Sequence, residues 1–290
     1  MKAPRFLYVR VASLVEALEV LAEYGDEASV LAGGQSLMPT LNMRLSSPKV
    51  LVDINRIDDL KGISLDGNMV RVGALSRHAD VMTSPIVVEH LPLIAQAYPF
   101  VAHAAVRNRG TFGGSVALAD PASEMPACVL ALNATLVLDS KAGGRRNVAA
   151  SDYFKGLYET ERRDDELLIE ARIPIKAAGE VSAFGELSRR HGDFALAGVA
   201  MHGTVANGVI TGLRPVYFGS EDRPVLGVAT AAAVEGKGAT EETFAAVNVA
   251  LGNDLDPLSN FHADAATRLQ LARVLTKRAL TSMVNGGGVV

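Results

Sequence analysis

Apolar and polar positions change period several times along the first part of the chain. Residues 6–10 read as a short strand. Ser13 followed by Glu16 is a capping-box pattern, with Ser13 at the N-cap and Glu16 at N3. Leu14, Ala17, Leu18 and Leu21 then share one helical face, which Gly25 ends. Residues 28–31 and 50–54 read as strands, so the opening unit is predicted to be a small βαββ layer. A second unit is predicted to begin near Leu60. Residues 69–75 alternate as a strand, Ser76 caps a short helix containing His78, and residues 93–101 are apolar at helical spacing. Residues 125–132 read as a buried helix and residues 135–138 as a strand. Residues 167–174 read as a strand ending at Pro174, preceded by a solvated turn at Asp164-Asp165-Glu166.

Ala177-Ala178-Gly179 marks a boundary. Beyond it, residues 182–187, 195–205 and 209–218 read as meander strands, and residues 241–251 and 262–283 as amphipathic helices. Strands followed by helices predict an α+β layer with helices on one face. Residues 284–290 are glycine-rich and read as a frayed tail. No internal repeat is visible.

Two glycine pairs punctuate this pattern. Ala32-Gly33-Gly34-Gln35-Ser36 follows the strand at residues 28–31, and Thr111-Phe112-Gly113-Gly114-Ser115 repeats its form. Glycine admits positive φ and lets a ligand approach the backbone. Turned N–H groups with a nearby hydroxyl attract anions, and two such loops facing each other suit a diphosphate. The plain alternative is two tight turns ending strands, and with 27 glycines in 290 residues a single pair is a weak signal. Neither segment fits G-x-G-x-x-G or G-x-x-x-x-G-K-[ST]; Gly236-Lys237-Gly238-Ala239-Thr240 lacks Ser or Thr directly after its lysine. The residues alone therefore point to a phosphate-bearing ligand, with a dinucleotide among the candidates.

Composition narrows the classes. At 290 residues, two or three subdomains are expected. The hydrophobic fraction is 49% and the charged fraction 21%, as in an ordinary soluble globular protein. The net charge of −4 without a long basic run argues against nucleic-acid binding. No apolar stretch is long enough to span a bilayer, and the N-terminus lacks the apolar core of a signal peptide, so the expectation is a cytoplasmic protein. Cys128 is the only cysteine, which excludes an internal disulfide and an iron–sulfur cluster held by this chain's own four thiolates. It is expected to be a small buried apolar residue. The six histidines form no metal-binding spacing, so no metal site is expected, and no nucleophile–base set is visible.

Two longer stretches carry a resemblance. The first runs through Ala32-Gly33-Gly34-Gln35-Ser36-Leu37-Met38-Pro39, Asn42-Met43-Arg44-Leu45 and Leu51-Val52-Asp53-Ile54. The second runs through Arg109-Gly110-Thr111-Phe112-Gly113-Gly114-Ser115 and Asp120-Pro121-Ala122-Ser123-Glu124-Met125-Pro126-Ala127. In order and spacing they resemble the two FAD segments of the medium, flavin-binding subunit of bacterial molybdenum hydroxylases. This is the family of the carbon monoxide, nicotine and related dehydrogenase flavoproteins and of the FAD domain of xanthine dehydrogenase. The resemblance implies an α+β fold: a two-subdomain PCMH-type FAD-binding domain over residues 1–176 (subdomains about 1–57 and 58–176). A smaller C-terminal domain over residues 177–283, with helices on one face, and a tail at 284–290 complete it.

The same resemblance implies FAD contacts at Leu31, Ala32, Gly33, Gly34, Gln35, Ser36 and Leu37. It implies further contacts at Val101, Ala102, Val106, Gly110, Thr111, Gly113, Gly114, Ser115 and Ala117. Arg107 and Arg109 flank the second segment and are candidates for lending positive charge near the diphosphate; a strand end or a subunit contact is the alternative. Glu124 stands where an acidic residue lies near the adenosine ribose, often Asp in relatives; a favourable charge at a helix N-terminus is the alternative. Arg189-Arg190-His191-Gly192-Asp193-Phe194-Ala195 resembles an Arg-x-x-Asp-aromatic-Ala segment whose aromatic approaches the isoalloxazine. Arg189 and Phe194 are therefore implied contacts, with a core Phe as the alternative. Leu168 matches a leucine that packs on the ring system, although a strand leucine is ordinarily core. Gln35 stands where some relatives have His, and neither glycine segment offers His or Cys for covalent attachment, so the FAD is expected to be non-covalent.

No catalytic acid, base or metal ligand is implied on this chain. The expected function is an electron-transfer oxidoreductase subunit. It would pass electrons from [2Fe–2S] clusters on a small partner to an external acceptor, with a molybdopterin cofactor on a large partner, commonly as a dimer of heterotrimers. Two alternatives stay open: a self-sufficient FAD-dependent oxidase or reductase of the same fold, and a nucleotide-binding scaffold without redox activity.

Overall fold

The structure, a computed structural model, describes residues 2–290. Its first sheet is parallel: β1 (Leu7–Arg10), β2 (Ala28–Leu31) and β3 (Val50–Asp53) pair in the order β1-β3-β2. β3 is buried along its whole length, as the centre strand of a covered parallel sheet must be. α1 (Leu14–Tyr24) links β1 to β2 and buries Ala17, Leu18 and Leu21. Ser13 accepts from the Glu16 N–H, while the Glu16 carboxylate accepts from Ala12 N–H rather than from Ser13, a capping box one residue wider than its pattern. The predicted βαββ layer is in fact βαβαβ, because α2 (Leu37–Asn42) forms between β2 and β3. Pro39 lies in the first turn of α2, where a missing N–H breaks no helical bond.

The second layer is antiparallel. It begins with β4 (Ile63–Asp66) and β5 (Met69–Gly73) and continues into a helical stretch. This comprises α3 (His78–Thr83), α4 (Pro85–His90), α5 (Pro92–Ala97), α6 (Ala104–Arg107), α7 (Phe112–Leu118) and α8 (Glu124–Ala131). β6 (Thr135–Ser140), β7 (Gly144–Ala149), α9 (Ala150–Tyr153), the ribbon β8 (Phe154–Gly156) and β9 (Glu159–Thr160), and β10 (Glu166–Pro174) follow. The sheet order is β4-β5-β10-β6-β7. The turn expected to be solvated before β10 is a correction at Glu166, which is fully buried. Its carboxylate accepts from Arg146 Nε (2.6 Å), Arg163 N (2.7 Å) and Arg163 Nη2 (2.9 Å), which compensates its removal from water. β10 carries a bulge between Leu168 and Glu170. There the Ile169 carbonyl accepts from Ala74 N–H, and the Ala74 carbonyl accepts from Gly113 N–H, each at 2.9 Å. The bulge thus sets where α7 begins.

The third layer is the predicted meander: β11 (Glu180–Ser188), β12 (Ala195–Ala206), β13 (Val209–Phe218) and the short β14 (Val225–Leu226). α10 (Val228–Val234), α11 (Glu241–Asp254) and α12 (Ala265–Val284) follow. Alternation along the strands separates two cores. Ala183, Val199, Met201 and Tyr217 pack with α11 and α12, whereas Phe184, Ala200, Val216 and Phe218 join the core of the second layer. The helices α11 and α12 therefore lie on one face, as expected, and α5 and α8 cover the other. Arg214 on β13 donates to the carbonyls of Leu130 (2.9 Å) and Ala131 (3.1 Å), closing the end of α8 from across this junction. The frayed tail is corrected. Val284 ends α12, and β15 (Gly288–Val289) pairs parallel with β11. Val290 N–H donates to the Phe184 carbonyl at 2.9 Å. No helix among the described residues is long and apolar enough to cross a membrane.

Candidate functional site

The two glycine segments meet. A Cβ on Gly33 would lie 2.5 Å from the Arg109 carbonyl oxygen and 2.6 Å from Gly110 Cα, so only glycine allows this approach. Gly34 follows with φ +71, which turns the chain into α2. No backbone or side-chain acceptor among the described residues takes the N–H groups of Gly33, Gly34, Gln35 or Ser36. Gln35 Nε2 donates to the Gly33 carbonyl (3.0 Å), which fixes the turn from within. Ser36 precedes α2 without capping it through its hydroxyl. The first segment is therefore an open row of donors, the arrangement that an oxyanion satisfies.

The second segment is built differently, and the expectation of a matching open turn is corrected. Gly113 and Gly114 lie in the first turn of α7, not at positive φ. Thr111 is the N-cap, and its hydroxyl accepts from Gly114 N–H at 3.1 Å. Phe112 N–H goes to the Ser76 carbonyl (2.9 Å) and Gly113 N–H to Ala74. Glycine at 113 answers a packing demand, because a Cβ there would overlap Ala74. Ser115 and Ala117 follow in α7, both half-buried.

A bridge that the sequence reading missed holds the segments together. Asn55, just after β3, donates through Nδ2 to the carbonyls of Leu31 (3.2 Å) and Ala32 (2.8 Å) and to Asp53 Oδ1 (2.7 Å). Its Oδ1 accepts from Arg77 Nη2 at 2.7 Å, and Arg77 Nη1 donates to the Arg109 carbonyl. One asparagine and one arginine thus tie the end of β2 to the approach of the second segment. Burial lowers the Arg77 pKa, and the Arg109 charge lowers it further. His78 lies under Gly110, where a Cβ would sit 2.8 Å from its Cδ2. Burial, then the charges of Arg107 and Arg77, push its pKa down to about 4, so the ring is neutral at neutral pH. The only available signal was the Asp53-Ile54-Asn55 spacing after a strand, a common side-chain-to-backbone turn pattern.

The third segment joins at Gly192. A Cβ there would lie 2.7 Å from His103 Cε1 and 3.2 Å from the Ala102 carbonyl carbon. Ala102 has φ +42, and Arg107 Nη1 holds its carbonyl (2.7 Å) and that of Val101 (2.8 Å). Arg107 is thereby committed to this corner, while Arg109 is exposed. Val101 is buried and Val106 half-buried. Phe194, two residues beyond Gly192, is 68% exposed, so it is not the core residue that the plain alternative required. Arg189 is exposed and donates to His262 (3.2 Å). Leu168 is buried in the core beside the bulge.

Glu124 opens α8, at the helix N-terminus, and is buried. Burial raises its pKa to about 7, and the Asp120 charge adds to this. Glu186 on β11 is also buried, with one carboxyl oxygen lacking a partner; burial and then Glu124 push it up to about 9. Cys128 is fully buried as expected. A groove of ≈ 760 Å³ lies elsewhere, between α11, α12 and the C-terminus, and contains none of the glycine segments.

Comparison with known proteins adds two family matches. Residues 4–176 match the FAD binding domain in molybdopterin dehydrogenase, and residues 182–283 match the CO dehydrogenase flavoprotein C-terminal domain. The chain is 36% identical to the 6-hydroxypseudooxynicotine dehydrogenase complex subunit alpha of Paenarthrobacter nicotinovorans, over 98% of this chain and 96% of that one. It is 35% identical to the carbon monoxide dehydrogenase medium chain of Hydrogenophaga pseudoflava, over 96% and 97% of the two chains. A solved chain of the carbon monoxide dehydrogenase from the same organism superposes with a TM-score of 0.94 at 37% identity, covering 98% of both chains.

Proposed function

We infer function from the premise that this chain belongs to the FAD-binding flavoproteins of the molybdopterin dehydrogenases, the family of the carbon monoxide dehydrogenase medium chains. It is the medium, flavin-bearing oxidoreductase subunit of a multi-subunit molybdenum hydroxylase, and its role is electron transfer within that complex. The iron–sulfur and molybdopterin groups belong to the small and large partner subunits. A dimer of heterotrimers and a cytoplasmic location are our proposals, supported by the resemblance and, for the location, by the single cysteine.

The observation that carries the site is the junction of Gly33 with Arg109 and Gly110, beside four N–H groups that have no acceptor among the described residues. This fits FAD: a diphosphate needs such donors and a backbone free of Cβ atoms. Gly33, Gly34, Gln35 and Ser36 would hold the diphosphate, flanked by Leu31, Ala32 and Leu37. Gly110, Thr111, Gly113, Gly114, Ser115 and Ala117 would form the facing wall, with Val101, Ala102 and Val106 at its corner. Glu124 would accept from ribose hydroxyls, and Phe194, already exposed, would lie against the ring system. Arg189 and Leu168 are weaker members, the first turned to His262 and the second enclosed in the core. When bound, FAD supplies reversible one- and two-electron chemistry; the chain supplies binding, orientation and charge. Asn55 and Arg77 keep the two walls in register, and neutral His78 adds no cation beneath them. Gln35 holds its own loop and offers no covalent attachment, so the flavin is non-covalent. Purified chain should carry about one FAD that acid precipitation releases into the supernatant. A colourless chain that takes up no FAD, or a flavin that stays on the peptide, contradicts this reading.

A further inference from the structure

Alternate residues of β11 advance along the segment that leads from α5 into the wall proposed for FAD. Gln96 in α5 donates to the Ser182 carbonyl (3.2 Å). Two residues on, the Phe184 ring packs on Phe100, with centroids 5.3 Å apart. Glu186 is the next residue on that face, because the β11–β12 pairing stays regular up to the bulge between Leu187 and Ser188. It therefore faces the chain just beyond Phe100, where Val101 and Ala102 turn the corner of that wall. Gly192, past the end of β11, meets the same corner: a Cβ there would touch His103 and the Ala102 carbonyl carbon. Across the sheet Glu186 pairs with Gly198, where the Phe218 ring fills the space that a Cβ would need.

Glu186 is only 7% exposed and stands among apolar rings, yet its Oε2 is enclosed without a hydrogen-bond partner among the described residues. The charge that acts on it is that of Glu124, and no cation offsets it. Glu124 and Cys128 lie one turn apart on α8, and both are buried. Asp120 acts on Glu124, and Tyr98, just after α5, and the Cys128 thiol are buried beside the pair. Two enclosed carboxyl groups without a counter-cation resist ionising together. Burial, then Glu124, push Glu186 up to about 9, whereas Glu124 reaches about 7, so at neutral pH Glu186 keeps its proton. An enclosed polar group costs stability unless something bonds to it. A neutral carboxyl has what a carboxylate lacks, an O–H donor besides its acceptor oxygen.

We propose that Glu186 is a further FAD-binding residue: with Glu124 it forms a proton-sharing carboxyl pair that holds hydroxyls of the FAD sugar chain, Glu186 donating as well as accepting, so that flavin binding weakens when the pair loses its shared proton. The proposal rests on the reading that FAD lies at the junction of the glycine segments. Each sugar hydroxyl is both donor and acceptor, so one carboxylate and one neutral carboxyl complement a pair of them better than two carboxylates would. The enclosed Oε2 of Glu186 then gains the partner that the chain itself does not supply. The N–H row of the first segment holds the diphosphate at any pH, while the carboxyl pair makes retention of the flavin depend on pH.

The test titrates FAD into the flavin-free parent, Glu186→Gln and Glu186→Leu chains from about pH 7 to pH 10, followed by flavin fluorescence, with thermal melting of each chain. Leucine removes donor and acceptor from apolar surroundings. That chain should melt at or above the parent temperature, yet bind FAD about tenfold more weakly at pH 7. Glutamine keeps a donor and an acceptor but cannot ionise, so it should hold FAD near the parental affinity at pH 7. Between pH 8 and pH 10 the parent alone gives up the proton, so the ratio of Gln-variant to parent affinity should rise about tenfold; any titration of FAD itself cancels in that ratio. A ratio that stays constant over this range overturns the proposal, as does a folded Glu186→Leu chain with parental affinity. If leucine unfolds the chain, the ratio decides. A parent chain that takes up no FAD at any pH refutes the FAD reading itself, an outcome distinct from parental binding that the variants leave intact.

Discussion

Gly33→Ala perturbs the candidate site at its tightest point. The added Cβ would meet the Arg109 carbonyl oxygen at 2.5 Å, against an ordinary contact of 3.4 Å or more. The obstacle is backbone on both sides, so the two segments must part by about 1 Å. Overpacking of this kind costs about 1–3 kcal/mol of stability. Separation also moves the row of free N–H groups relative to the wall formed by residues 110–115. Loss of one charge-assisted hydrogen bond to a diphosphate is worth about 1.5–3 kcal/mol, which is about a 10- to 150-fold weaker FAD affinity. Two companions set the scale. Gly34→Ala meets only the flexible ends of Leu31 and Met38 at 3.1 and 3.2 Å, but its φ of +71 costs about 1–2 kcal/mol. Gly252→Ala in α11 meets nothing within 4 Å and should gain up to about 1 kcal/mol from helix propensity, with FAD binding unchanged. FAD titration of the flavin-free chains, followed by flavin fluorescence, ranks them, and thermal melting reports the stability terms. A folded Gly33→Ala chain with parental FAD affinity would refute the loop-junction argument.

Other perturbations test separate links. Arg77→Ala removes the tie between Asn55 and the Arg109 carbonyl, so FAD affinity should drop about tenfold with only a small change in melting temperature; loss of folding with intact affinity would contradict this. Glu166→Ala takes from Arg146 Nε its acceptor, while Arg146 keeps Glu161, and should cost about 1–3 kcal/mol, read by denaturant unfolding. Burial alone would raise the Glu166 pKa, but Arg146 and Arg163 outweigh it and hold it low, so this stabilisation should persist at neutral pH and fade as acid protonates the carboxylate. Glu186 behaves in the opposite sense. Between the ordinary carboxyl value of 4.5 and its folded value of about 9, the unfolded chain releases a proton that the folded chain keeps, so its presence costs more stability as pH rises. Glu186→Gln should therefore gain in melting temperature over the parent progressively from pH 5 to pH 9; a pH-independent difference would show that the carboxyl is not held protonated.

The sequence made most regular elements readable because each carried a strong period. The α1 face, the buried α8 and the β11-β12-β13 meander all appear where alternation or helical spacing placed them. What escaped were features set by partners distant in sequence. α2 is only six residues long and contains Pro39, so no period announced it. Gly113-Gly114 looked like a turn by analogy with Gly33-Gly34, but the reason for glycine at 113 is Ala74, just after β5 and distant in sequence. Glu166 looked solvated beside two aspartates until Arg146, twenty residues earlier, came to it across the sheet. The C-terminal glycines looked frayed, yet they lay β15 along β11. For the candidate site, the sequence marked both glycine segments, and the structure brings them together. The Asn55–Arg77 bridge could not be read, because a hydrogen-bond chain through two side chains leaves no spacing signature.

The central claim is that this chain carries FAD and receives its electrons from a partner subunit. The most direct measurement mixes the oxidised, flavin-loaded chain anaerobically with a stoichiometric amount of the iron–sulfur subunit, reduced beforehand and freed of reductant. Rapid-mixing absorbance then follows the flavin and cluster bands together. The account predicts that the flavin band bleaches as the cluster bands return to their oxidised form, and that the chain alone shows no change with the substrate of the intact complex. Rapid flavin bleaching by that substrate without any partner, or a flavin that stays oxidised beside the reduced iron–sulfur subunit, would contradict it.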